Sequence, residues 1–154
     1  MIMWGEKGGG TMALKDRELN EEKKEKGRGP IEYHSPFREL LGIQVEKREG
    51  DFAILSCIVK EESPNGGGIA HGGLVMALAD TAMGTCFSNR EDNRSYVTTD
   101  INYRFLGKAK AGDKLVATAH ALREGGRILT SSCRLTVEGR LVGYASGSFY
   151  LLSD

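Results

Sequence analysis

The sequence predicts an α+β domain, one long helix set against an antiparallel sheet, and three observations predict it. Two alternating runs rich in β-branched residues come first, a single long apolar segment with helical character follows, and four more strand-like runs close the chain. The last four are separated by short glycine-containing turns, so they form a meander whose sheet is antiparallel and needs cover on one face. The helix is the available cover.

With 154 residues, 40% hydrophobic and 27% charged, the chain has the composition of one globular domain. Residues 1–29 hold Gly8, Gly9 and Gly10 and then a stretch dense in both charge signs, which can bury little; they are expected to be a disordered or loosely helical tail before a single domain at 30–154. Ser35-Pro36, followed by Phe37, Leu40 and Leu41, reads as a short capped helical turn ended by Gly42. Strands are expected at 43–49 and 52–60, joined by a hairpin at Gly50-Asp51. A loop at 61–70 leads into the long helix, 72–88. Strands at 95–106, 113–122, 127–137 and 140–151 complete the domain.

Several function classes are disfavoured by composition. Lys plus Arg and Asp plus Glu both count 21, so the neutral balance argues against nucleic acid or an anionic membrane surface as partner. Cys57, Cys86 and Cys133 are far apart and odd in number, which fits reduced core thiols in a cytoplasm rather than a disulfide framework or metal site. No run of 18 apolar residues occurs, and the N-terminus lacks the apolar core of a signal peptide, so a soluble cytoplasmic protein is expected. A P-loop ending and a G-x-S-x-G elbow are both missing, and His34 and His120 have no nucleophile or ligand at motif spacing.

The residues that carry chemistry lie between 65 and 80. Asp80 is the one charged residue of the helical segment, and Met76, Ala77, Met83 and Gly84 lie one turn from it. Apolar surroundings raise a carboxyl pKa and its basicity, as a general base or nucleophile requires. The glycine-rich loop NGGGIAHGG at 65–73 runs straight into the helix start, where Gly72 and Gly73 leave unpaired amides accessible at the positive end of the helix dipole. It is a candidate oxyanion hole. At 1.5 Å per residue Asp80 lies roughly 12 Å along the axis from Gly72, so one chain cannot bring both to one substrate atom. The donors are expected from a second subunit whose helix runs antiparallel to the first, giving two equivalent sites in a dimer.

Asn65, His71-Gly72-Gly73 and Leu78-Ala79-Asp80-Thr81, with Thr98-Thr99-Asp100 and Gly112-Asp113 further on, resemble the motif of the phenylacetate-pathway (PaaI-like) hotdog thioesterases over about residues 36–151. The resemblance implies a hotdog fold, a long central helix wrapped by a curved antiparallel sheet, hydrolysing acyl-CoA at a dimer interface, with a tetramer as the full assembly. It implies Asp80 as the attacking or water-activating carboxylate, Asn65 and the Gly72 amide as polarising donors, Thr98 as orienter of the water, and His71 as a brace of the loop. Gly73, Met76 and Met83 are expected along the substrate, and Arg104, Lys108 and Arg127 near the coenzyme A phosphates. No metal or cofactor is implied beyond the coenzyme A of the substrate. Where the family has a proline-containing turn, this chain has Arg104-Phe105-Leu106-Gly107-Lys108. A non-catalytic module that binds acyl-CoA is the alternative, and a hotdog hydratase ranks behind both because its Asp/His motif is missing.

Overall fold

A computed structural model of the chain describes residues 35–87 and 95–152. The expected tail at 1–29 and the turn after the long helix lie outside the described residues.

Helix α1 (Pro36–Leu40) starts at Ser35, whose hydroxyl accepts from the Arg38 amide at 3.4 Å, with proline in the first turn where its missing N–H is no loss. Gly42, at φ +68°, stops it. Strands β1 (Gln44–Glu49) and β2 (Phe52–Ile58) pair about the tight turn at Gly50. Helix α2 (Gly72–Thr85) follows, then β3 (Tyr96–Phe105), β4 (Lys114–Gly125), β5 (Ile128–Val137) and β6 (Arg140–Leu151). All pair antiparallel in one six-stranded sheet of order β1-β2-β4-β5-β6-β3. This is the hotdog arrangement.

Small residues on the inner sheet face, Ala117, Ala119, Ala145 and Gly147, let α2 come close and bury Leu74, Leu78, Ala82 and Met83. Each fully buried Leu or Phe contributes about 1.5–3 kcal/mol, so this seam carries much of the stability. The three cysteines sit in the same core; burial pushes the Cys57 thiol up to about 11 and Cys86 to about 12.

Two boundaries differ from the sequence expectation by three residues, the others by two or fewer. Helix α2 ends at Thr85 because its last carbonyls are taken by the sheet: Tyr96 Oη donates to Gly84 O and Ser131 Oγ to Met83 O. Gly84 has no side chain, which lets Tyr96 and Phe149 seat against the helix, with Phe87 completing an edge-to-face aromatic cluster. Strand β4 runs on to Gly125 because a bulge at Leu122 absorbs one residue and pairing resumes at Arg123 opposite Thr130.

The sheet has two unlike edges. The β1 edge reads Gln-Val-Glu-Lys-Arg-Glu and carries a bulge at Glu46, both devices that discourage a further strand. The β3 edge is ten residues long, and only Asp100 and Arg104 are charged. That edge is open to pairing.

Candidate active site

Strand β3 changes phase part-way along. Thr98 pairs with Phe149 and Asp100 with Ser148, so Thr99 is an extra, bulged residue whose hydroxyl donates to Ser148 O at 3.1 Å. Plain alternation from Thr98 would turn Asp100, Asn102 and Arg104 inward; the bulge turns Ile101, Tyr103 and Phe105 inward instead, opposite Gly147, Ala145 and Gly143. Thr98 itself faces the helix and donates to Asp80 Oδ1 at 2.8 Å.

Asp80 is half-buried in an otherwise uncharged helix. Desolvation holds its carboxyl above the usual carboxylate range, and the Thr98 hydrogen bond works in the opposite direction. Burial is the larger effect, so the group is both oriented and made a stronger base.

At the other end of the helix the loop is braced from within. Asn65 Oδ1 accepts from Gly67 N at 2.9 Å and from Ile69 N at 3.5 Å, while its backbone N–H donates to Ile69 O. Its side-chain NH2 has no acceptor among the described residues. His71 caps the helix: Nδ1 accepts from the Gly73 amide at 2.9 Å, which places the proton of the neutral ring on Nε2. The Gly73 amide is therefore occupied, and the Gly72 amide is the first of the helix without a partner among the described residues. Asn65 and Gly72 open into one cavity of about 240 Å³, which neither Asp80 nor Thr98 lines. Within one chain, donors and carboxylate are separate.

A model of the Thioesterase superfamily matches residues 67–144. The chain is 34% identical over 109 residues to human acyl-coenzyme A thioesterase 13, covering 69% of this chain and 78% of that one. The chain belongs to the thioesterase superfamily. Among solved structures, the TT0310 protein of Thermus thermophilus is 28% identical with a TM-score of 0.72, covering 77% of this chain and 99% of that one. A variant of the phenylacetic acid degradation protein PaaI from the same organism is 27% identical with a TM-score of 0.72, covering 77% and 100%.

The remaining site residues expected in this thioesterase-superfamily chain are dispersed. Met76 is half-buried on the side of α2 that carries Asp80, whereas Met83 is fully buried in the core, its methyl beside Gly147. Met83 therefore has no exposed surface in this subunit. Lys108 stands exposed at the cavity mouth, with its carbonyl accepting from Arg140. Arg104 lies on the outer sheet face opposite Tyr144, and Arg127, in the β4–β5 turn, donates to Tyr150 Oη at 2.9 Å. These three cations do not form one cluster. In place of the family's proline turn, the Leu106 and Gly107 amides both donate to Val142 O at 3.0 Å, and a proline at either position has no N–H to do so.

Two residues of the cavity wall, Tyr103 and Phe105, were not legible as site residues in the sequence. The inward side chains of a strand repeat every second residue, and the Thr99 bulge breaks that count. Among the described residues, no group of His, Cys, Asp and Glu side chains could hold a metal ion, and no helix is long and apolar enough to cross a membrane.

Proposed function

We propose that this chain hydrolyses acyl-CoA thioesters to the free acid and coenzyme A at two equivalent sites, each shared by two subunits of a dimer. The observation that carries the reading is Asp80: the sole charge of the helix, desolvated, and held by Thr98 on the strand whose outer edge is open. Pairing of β3 with its twofold copy extends the sheet and sets the two helices antiparallel, which brings the Asn65–Gly72 end of one toward Asp80 of the other. Asp80 takes a proton from water as the water oxygen bonds to the thioester carbon. The oxyanion is held by the Gly72 amide and the Asn65 NH2, where a single donor contributes about 3 kcal/mol. Collapse breaks the C–S bond, and the proton held by Asp80 goes to the departing thiolate. Raised proton affinity favours this base role over direct attack, and oxygen-18 incorporation from labelled water under single turnover separates the two.

The shared site is tested by mixing two inactive variants, Asp80→Asn and Asn65→Ala. Random pairing makes half the dimers mixed, each with one native site, so roughly a quarter of wild-type thiol release returns. A mixture as inactive as its components places the whole site in one chain and sinks the reading. A wild type that binds acyl-CoA tightly but releases no thiol from aryl, short or medium acyl esters is instead an acyl-CoA-binding module.

A further inference from the structure

We propose that Tyr103, seated by the bare backbone of Gly143, sets the depth of the pocket that receives the acyl group. The inference rests on the acyl-CoA reading above and adds which end of the substrate the cavity takes and what limits it.

The cavity of about 240 Å³ is lined by the polar donors Asn65 and Gly72 and by Lys108. An apolar cavity of roughly 150 Å³ holds benzene, and pockets for larger ligands run from about 300 Å³ upward, so only one end of an acyl-CoA fits. Apart from Asn65, the Tyr103 hydroxyl and Lys108, the side chains of the wall are apolar, Val75, Val142 and Phe105 among them, so the wall suits an acyl group better than the amides of a pantetheine arm. Phe105 lies against Gly72, where a built Cβ would stand 3.2 Å from its ring, and Tyr103 stands one inner-face step deeper, tilted against Phe105 with centroids 4.6 Å apart.

Gly143 explains where Tyr103 sits. Its backbone is not in the left-handed region, so no torsion demands glycine there, and glycine weakens a strand interior. Space is the reason: a Cβ on Gly143 would overlap the Tyr103 hydroxyl and Cζ, with no room to adjust while the ring keeps its place. The ring rests on the strand surface, and any side chain at 143 lifts it into the cavity. The phenol has no hydrogen-bond partner among the described residues, and burial pushes its pKa to about 12, so it presents a neutral hydroxyl to whatever enters.

The test measures kcat/KM over an acyl-CoA series of increasing chain length, and the Kd of the same series in an Asp80→Asn background so that turnover is not required. Gly143→Ala is expected to cut the longest acyl groups by about tenfold or more relative to acetyl, and Tyr103→Ala to shift the optimum toward longer ones. Tyr103→Phe should leave the length profile of unsubstituted chains in place. In the Tyr103→Ala background, Gly143→Ala should have little further effect, because the clash partner is gone. A length profile unchanged in Tyr103→Ala, or a loss equal for all acyl groups, means that the cavity takes the pantetheine or only supports the fold, and overturns the proposal even if hydrolysis stands. A wild type that hydrolyses nothing defeats the acyl-CoA hydrolase reading, while the Kd series still decides the pocket.

Discussion

Replacing Thr98 by Val removes a single hydroxyl and keeps a β-branched side chain in a strand that favours such residues. The hydroxyl lies 2.8 Å from Asp80 Oδ1 and stabilises the ionised carboxylate. Hydrogen bonds to charged groups contribute about 1.5–3 kcal/mol, and the lower figure applies to a pair reached by water. About 1.4 kcal/mol is a factor of ten, so Thr98→Val should raise the proton affinity of Asp80 roughly tenfold. Desolvation already holds that affinity above the ordinary value, and the variant loses the opposing contribution. A base must be ionised to work, so the acid limb of kcat/KM should move to higher pH while the alkaline plateau stays near wild type. Thiol release measured across the acid limb reads the effect as an approximately tenfold loss at fixed pH. An unmoved limb with a lowered plateau would refute the reasoning and return Thr98 to the role expected from sequence, orientation of the attacking water.

Asp80→Asn should lower turnover by orders of magnitude yet raise the melting temperature at neutral pH. Because the folded pKa is raised, ionisation destabilises the native state as pH climbs through it, so the gain should vanish on acidification below the ordinary aspartate range. His71→Ala removes the cap on the Gly73 amide and should cost about 1 kcal/mol in urea unfolding, with His71→Asn recovering most of it. Tyr96→Phe leaves the Gly84 carbonyl without its phenol and should destabilise by about 1 kcal/mol, with unchanged kcat/KM at a temperature where the fold is intact.

The element order, the sheet class and the helix were legible because alternating, β-branched runs set off by glycine turns flank one long apolar segment with a single charge. Asp80 stood out for the same reason, as one charge in an apolar run. The partner of Asp80 inside the chain was less accessible: Thr98 was placed by resemblance beside a water, and its bond to the carboxylate depends on which face of β3 it occupies. Tyr103 and Gly143 were invisible for a related reason, since nothing in a glycine's sequence context says that an aromatic ring from the neighbouring strand lies across it. The end of the long helix was misjudged, because side chains from distant strands, Tyr96 and Ser131, supply the terminating hydrogen bonds.

The extra residue at Thr99 makes β3 a strand with two grammars. Before it, the inward face delivers a hydroxyl to the helix carboxylate; after it, the same face delivers aromatic rings to the cavity. Were Thr99 paired as an ordinary strand residue instead of bulged, the inward face beyond it would carry Asp100, Asn102 and Arg104 in place of those rings, and a hydrophobic wall would become a charged one without the change of a single residue. Anyone transplanting this segment to another sheet has to carry the bulge along with the sequence, because the same residues in unbroken alternation present the opposite face.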